Sequence, residues 1–395
     1  MSIGFHLAIP DETIPTVAIG LLGYNFMAKA HTNAYRTIPY MFWPDGIRPR
    51  LRAIAGRTEE RVAEAAGRYG YEGYYLSWEE LVGDPEVALF DNCASHHLHV
   101  EPTIAALDAG KHVICEKPLA LSAADALRVL EASRRAGPAI RHMTGFNYRF
   151  VPAIRFARDL IERGLLGDLY HVRIQYLQQS IHDPLKPMRK GVDPTAATAG
   201  SQAILGCHAV DLARYLNGEI ATISALTPRF VPERLGPDNS PIHIEWDDAT
   251  LSLVEFTNGS VGTIEASRVA TGRRNSLRLE INGSRGSIGF DLERLNELQV
   301  FLADALVADV VGTQDVMVTD ATHPYAKVWW PNGHVLGWEH AHINQLHHLL
   351  RAIVDGTEVG PYGATLADGY RAAVIADAIG VAASSGRKQE LVYQD

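Results

Sequence analysis

Apolar positions along this chain follow two different rhythms. Up to about residue 145, short apolar runs alternate with stretches in which apolar residues recur every three or four positions. The runs TVAIGLLG (16–23), RLRAIAG (50–56), VALFDNC (87–93) and HVICEK (112–117) predict strands. FMAKAHTNAYRTI (26–38), TEERVAEAAGRYG (58–70), HHLHVEPTIAALDAGK (96–111) and SAADALRVLEASRRAG (122–137) predict helices. Gly70 and Gly137 stand where helix ends favour glycine. Ser122, followed three residues later by Asp125, is a helix start. Strands alternating with helices of this length imply βαβ units and a parallel sheet.

Beyond that point the period shortens to two. After a helix, PAIRFARDLIERG (152–164), come DLYHVRIQYLQQ (168–179), ATLSLVEFTNGSVGTIEASRV (249–269) and LRLEINGSRGSIGF (277–290). Their TNGS and NGSRG turns carry Asn-Gly, a strong hairpin signal. GCHAVDLARYLNG (206–218) and EHAHINQLHHLLRAIVDG (339–356) read as helices expected to pack on this second, antiparallel sheet. LADGYRAAVIADAIGVAASSG (366–386) is a further amphipathic helix. The expected architecture is α/β in two domains, 1–143 and 144–395, with residues 1–15 a loose leader.

Composition narrows the class. A chain of 395 residues exceeds what one core usually fills. With 47% apolar and 21% charged residues it is an ordinary globular protein. A net charge of -10 and a pI of about 5.9 argue against a nucleic-acid partner. No apolar run approaches a membrane span, and the N-terminus lacks the order of a signal peptide. Cys93, Cys115 and Cys207, each in an apolar stretch, suggest reduced, buried thiols in a cytoplasmic protein.

The turn after the first strand, Gly23-Tyr24-Asn25-Phe26-Met27-Ala28, is a variant of the dinucleotide fingerprint G-x-G-x-x-G/A. Gly23 allows the tight turn and Ala28 the close packing of helix on strand. Asn25 departs at the position where backbone approaches a pyrophosphate. The second strand ends Ala55-Gly56-Arg57-Thr58, without the carboxylate that binds the ribose of NAD. Arg57 instead suits a 2′-phosphate and leans to NADP over NAD, unless it is a solvated helix-start residue. A second feature is KHVICEKPLA (111–120), where an apolar strand runs into Glu116-Lys117-Pro118. Either the charges only mark the surface, or the lysine is held at a strand's carboxyl end, where open α/β sheets bind ligands.

These features resemble the Gfo/Idh/MocA oxidoreductases (glucose–fructose oxidoreductase, inositol dehydrogenase and relatives) over nearly the whole chain. The resemblance rests on Gly23 to Ala28 with Lys29-Ala30-His31, on ALDAGKHVICEKP, on GFNYRFVPAI, on GCHAVDLARYLNG, and on Asp247-Asp248 before FTNGSVGTIEAS. YMFWP (40–44), YLQ (176–178) and HPY with WWP (323–331) liken it to the levoglucosan-type sugar dehydrogenases of that family. The resemblance implies an N-terminal Rossmann domain binding NAD or NADP and a C-terminal α/β domain with a large, mostly antiparallel open sheet. It implies hydride transfer at a hydroxyl carbon of a sugar, glycoside or polyol, C3 of a glycoside being one candidate. It also implies a homodimer or homotetramer with neither membrane nor nucleic-acid partner.

Carried onto this chain, the resemblance makes Lys117 and His208 the catalytic pair. A cation beside the reacting oxygen stabilises a developing alkoxide, and a histidine near neutrality suits a hydroxyl proton. Gly23, Asn25, Phe26, Met27, Ala28, Arg57, Ser95, His96, His99, Glu116 and Lys117 become the cofactor contacts. Lys117, Tyr148, Arg149, Tyr176, His182, Ile204, His208 and Trp330 become the substrate contacts, Arg149 alternatively pairing within the fold. Trp43, Trp329 and Trp338 are further aromatic candidates.

The chain departs from the family at one point above all. The pattern D-x-G-x-H-x-x-D reads Ile204-Leu205-Gly206-Cys207-His208-Ala209-Val210-Asp211, so the usual active-site aspartate is isoleucine. His96 also stands where the family has asparagine. Two readings stay open: a dehydrogenase in which Lys117 and His208 suffice or Tyr148, His182, Asp183 or Tyr176 supplies the missing group, and a redox-neutral relative, either a sugar-binding regulator or a lyase or epimerase with a retained cofactor. His96, His97 and His99 fit the cofactor loop; His340, His342, His347 and His348 fit a substrate pocket. Neither set has recognisable zinc spacing, so no metal is expected.

Overall fold

Val17 to Leu22 are mostly buried because their strand lies in the middle of a sheet covered on both faces. The computed structural model describes residues 13–44, 46–188, 192–195, 200–304 and 311–394. Most of the expected leader therefore lies outside the described residues. Strands β1 (Thr16–Leu22), β2 (Arg48–Ala55), β3 (Gly73–Tyr75), β4 (Leu89–Asn92), β5 (His112–Cys115) and β6 (His142–Thr144) form a parallel sheet. Its order, β3-β2-β1-β4-β5-β6, is doubly wound. The chain reverses direction across the sheet between β1 and β4, and there the strand ends open a crevice. Helices α1 (Phe26–Met41), α2 (Glu59–Tyr69), α3 (Trp78–Gly83), α4 (Val100–Asp108) and α5 (Ala123–Ala136) make the crossovers. The three-residue strands β3 and β6 and the six-residue α3 are too short to leave a periodic signal, and the apolar pattern misses them.

Helix α6 (Pro152–Glu162) leads into β7 (Leu169–Leu177), then α7 (Cys207–Asn217) and β8 (Ile220–Leu226). Short strands β9 (Glu233–Leu235) and β10 (Pro241–His243) pair with each other. Then come β11 (Ala249–Phe256), β12 (Val261–Ser267), β13 (Ser276–Gly283), β14 (Gly286–Asp291), β15 (Glu297–Leu302) and β16 (Gln314–Met317). Helices α8 (Glu339–Asp355) and α9 (Leu366–Ser385) and strand β17 (Gln389–Glu390) complete the described chain. The large sheet runs β16-β15-β14-β13-β7-β12-β11-β8-β17 and is antiparallel except where β7 meets β12. Both Asn-Gly hairpins form as expected, β11 with β12 and β13 with β14.

One face of this sheet packs on α6 and α7 in a core of Ile154, Ala157, Ile174, Val210, Ile264 and Leu279. The alternation of β11, with Leu251 and Leu253 facing out, leaves the other face open. The chain is thus α/β, with an N-terminal Rossmann fold and a large, mostly antiparallel second sheet. One expectation fails. Helix α8 packs on α1, not on the second sheet: Ile343, Leu346, Leu349 and Leu350 join Val17, Ile19, Tyr35 and Ile114 in one core. Apolar spacing says which face of a helix is buried but not against which sheet.

Candidate active site

The turn from β1 into α1 requires its glycine. Gly23 has φ +99°, and a Cβ there would lie 2.8 Å from the Cys93 carbonyl oxygen at the end of β4. Asn25 precedes α1 without a side-chain cap, so its amide is exposed at the helix start. Phe26, 67% exposed, stacks on Trp338 with ring centroids 5.4 Å apart. Ala28 is fully buried against the strand. This close approach of backbone, opening on a helix N-terminus, is the cradle a dinucleotide pyrophosphate needs.

Beneath the turn lies a buried cluster of polar and charged side chains. Asp91 on β4 accepts from Tyr35 at 2.8 Å and meets His31 Nδ1 at 2.8 Å. On the other edge of the ring, His31 Nε2 lies 3.3 Å from Glu116 Oε1. Burial alone would push the His31 imidazole down, but Asp91 outweighs it and holds the ring well above its ordinary value. An imidazolium therefore sits between two carboxylates. His31, Asp91 and Cys93 also have the spacing of a metal site, which the sequence did not suggest. Their atoms are already bonded to one another, with Cys93 Sγ 3.3 Å from both partners. Burial and then Asp91 push the thiol up.

Glu116 and Lys117 follow β5 directly. The Glu116 amide donates to Asn92 O at 2.9 Å, and Glu116 Oε2 accepts from the Lys117 amide. Its carboxylate lies over Gly145, where a Cβ would approach Oε1 to 2.5 Å. The Lys117 ammonium crosses to the second domain and donates to the main-chain oxygen of Ile204 at 3.1 Å. Residues Gln202–Gly206 form a π-turn that runs into α7, and the Asp247 carboxylate accepts from the Gln202 amide and the Ser201 hydroxyl at its start. The turn presents the Ile204 carbonyl to the lysine, so backbone supplies the polar partner that the side chain at 204 lacks.

His208, on the first turn of α7, is held edge-on to Tyr148 at 4.8 Å. Burial, then Lys117, then His342 push its imidazole well below the ordinary histidine value, so the ring is neutral. Tyr148 and Tyr176 share a 2.7 Å hydrogen bond, and Tyr176 donates to Asn275 at 2.8 Å. These groups line one cleft of about 620 Å³ with Phe26, Met27, Glu116, Lys117, Gln178, Ile204, Trp338 and His342. The cleft brings Lys117 and His208 together with Phe26 and Met27 of the dinucleotide turn and with Tyr148 and Tyr176.

Other candidates stand elsewhere. Arg149 is buried against Asp211 and Asp368 outside the cleft, which makes it a structural cation rather than a substrate contact. His182 is exposed and turned to the Gln179 carbonyl. Trp330 is 51% exposed and does not line the cleft; Trp338 does. His99 is fully buried between Pro118 O and Ala94 O, so it fixes the Lys117-Pro118 loop instead of facing a ligand. His96, one turn earlier, is pushed down to about 3 by burial and the nearby His99. Ser95 and Arg57 are exposed at strand ends beside the crevice. Gln178, Asn275 and Asn147 were missed, because each is an isolated amide with no spacing to mark it.

Comparison with known proteins bears on the family and the fold. Residues 17–142 match the oxidoreductase family with NAD-binding Rossmann fold, and residues 154–289 match the GFO/IDH/MocA C-terminal domain. Levoglucosan dehydrogenase of Pseudarthrobacter phenanthrenivorans is 37% identical over 91% of this chain and 94% of its own. Myo-inositol 2-dehydrogenase of Thermotoga maritima is 31% identical over 72% of this chain and 78% of its own. An oxidoreductase domain protein from Kribbella flavida superposes with a TM-score of 0.91 at 39% identity, covering 96% of this chain and all of that one. A levoglucosan dehydrogenase in complex with NADH and levoglucosan superposes with a TM-score of 0.90 at 37% identity, over 95% and 99% of the two chains.

Proposed function

The chain belongs to the Gfo/Idh/MocA oxidoreductases, and from that premise we propose that it is an NAD-dependent dehydrogenase of a sugar, glycoside or polyol, with Lys117 and His208 as its catalytic pair. The observation that carries the reading is the single cleft where the dinucleotide turn, a lysine cation and a neutral buried histidine meet. NAD would be held at the Gly23–Ala28 turn and would supply the acceptor for the hydride of the alcohol carbon. His208 takes the hydroxyl proton, which its neutral form allows. Lys117, on a strand end and steadied by the Ile204 carbonyl, offsets the charge left on the oxygen. Tyr148, Tyr176 and Trp338 offer apolar faces for the C–H faces of a sugar ring.

The names of the relatives favour an anhydrosugar or glycoside as substrate and NAD over NADP, which sets the lean drawn from Arg57 aside. The redox-neutral alternative, drawn from the departures at Asn25, His96 and above all Ile204, gains nothing from them. We place the division between the domains at 143/144, where the first sheet takes its last strand. A homodimer or homotetramer built on the open sheet face fits the exposure of Leu251, Leu253 and Val261. No helix among the described residues is long and apolar enough to cross a membrane; a cytoplasmic site accords with three free, buried cysteines. The test is nicotinamide absorbance with NAD+ and with NADP+, across levoglucosan, methyl glucosides, free sugars and myo-inositol. We expect turnover on at least one of them, faster with NAD+ and lost in Lys117→Ala. Silence across the panel in a protein that binds NAD+ would overturn the reading.

A further inference from the structure

His342 lies on the first turn of α8, a helix that packs on the dinucleotide-binding half, yet it lines the same cleft as His208. It is 1% exposed. Neither Nδ1 nor Nε2 has a hydrogen-bond partner among the described residues. The ring is pinned edge-on to Trp338 at 4.4 Å and lies 5.6 Å from His31. Burial, then His31, then Lys117 push it well below the ordinary histidine value, and His208 in turn feels its presence. A neutral imidazole offers one donor and one acceptor, and a buried polar group without partners is costly unless something completes it. The neighbouring Glu116 Oε1 and His31 Nε2 at least face each other. His342 has nothing comparable.

Resting on the sugar reading above, we propose that His342 is a substrate-binding residue. It holds a hydroxyl next to the reacting carbon and so does the orienting work for which the side chain of Ile204 has no polar atom. A sugar hydroxyl is itself a donor and an acceptor, so it can complete one ring nitrogen of the neutral imidazole whichever tautomer is present. The group enters from α8, not from the α7 frame where the family pattern puts an aspartate, so the same cleft is completed from a different helix.

The test uses the full chain with NAD+, the fastest sugar of the panel and the monodeoxy analogues of that sugar. His342→Phe keeps the aromatic edge on Trp338 and removes both nitrogens. His342→Gln keeps a donor and an acceptor. We expect His342→Phe to melt at or above the wild-type temperature while its kcat/KM falls on the order of tenfold to a hundredfold, mainly through KM. His342→Gln should recover most of that loss. On one deoxy analogue, His342→Phe and wild type should perform alike. Equal losses on every analogue, a change of less than about threefold, or a lowered melting temperature in both variants would overturn the proposal. A wild type silent on the whole panel would overturn the sugar reading and this inference with it, and differs from those outcomes because it shows before any substitution.

Discussion

Two charged sites share helix α7, and they are built in opposite ways. Around Asp211 and Arg214 each charge touches its opposite. Arg149 donates to Asp211 at 2.9 Å and to Asp368 at 3.1 Å. Arg214 meets Glu219 at 2.8 Å and Asp368 at 3.3 Å, and Arg371 meets Glu219 at 2.7 Å. One turn earlier, His208 faces Lys117, whose ammonium has the Ile204 carbonyl as its acceptor. A buried charge needs compensation, and in the saturated site the neighbouring charges supply it. The half-satisfied one is stable only because the cleft admits solvent or a ligand. Saturation, more than residue type, separates Arg149 from Lys117.

Removing each of the two cations in turn would break that contrast most sharply. Arg149→Ala leaves Asp211, itself pushed up by burial despite Arg149, without its main partner. Removing one member of a buried pair costs about 3–5 kcal/mol, so denaturant midpoints should drop steeply while the molecules still folded keep their kcat. Lys117→Ala should do the reverse, with kcat down on the order of 10²–10³ and an unchanged melting temperature. Both variants losing stability alike would mean that Lys117 is a structural cation too.

A pH profile sharpens the comparison with a smaller effect. His208 is pushed well below its ordinary value by burial and by Lys117, so it stays a neutral base where a free histidine would be protonated. The rate of sugar oxidation, as kcat/KM, should therefore show no acid limb near pH 6.5 and decline only below it. The sign for stability is the same. Unfolded His208 and His342 bind protons below about pH 6.5 while the folded rings do not, so stability falls as pH drops through that range. The slope is at most about 1.4 kcal/mol per unit for each histidine. His31, held well above the ordinary value, runs the other way: its contribution is complete below about pH 6.5 and is lost as pH rises through its raised value.

Much of this was legible in the sequence for physical reasons. Period and punctuation set the long strands and helices, and Gly23 and the Glu116-Lys117-Pro118 turn announced a ligand at strand ends. What could not be read is what depends on distant packing. Arg149 and Lys117 look alike as isolated cations until Asp211 and Asp368 arrive from elsewhere. His342 looks like its neighbours His340, His347 and His348, but only its face of α8 reaches the cleft; His348, for example, bonds Val359 O instead. The Ile204 carbonyl is invisible for a further reason: the π-turn that aims it is a backbone feature, set partly by the hold of Asp247 from another strand end.

The smallest effect belongs to Ile204 itself. If backbone and His342 already do the work of a side-chain carboxylate, Ile204→Asp adds a group to a site that does not need it. The new carboxylate would sit beside Lys117 and draw on the cation meant for the substrate oxygen. A half-exposed pair of this kind is worth about 1 kcal/mol or less, so kcat should fall by less than about fivefold. Ile204 also packs against the second-domain core, which makes a small loss of stability the expected companion. A rise in kcat of tenfold or more would say the opposite: that the unsaturated wall of the cleft is a lost function rather than a different solution, and that the lysine had been waiting for a partner at this position.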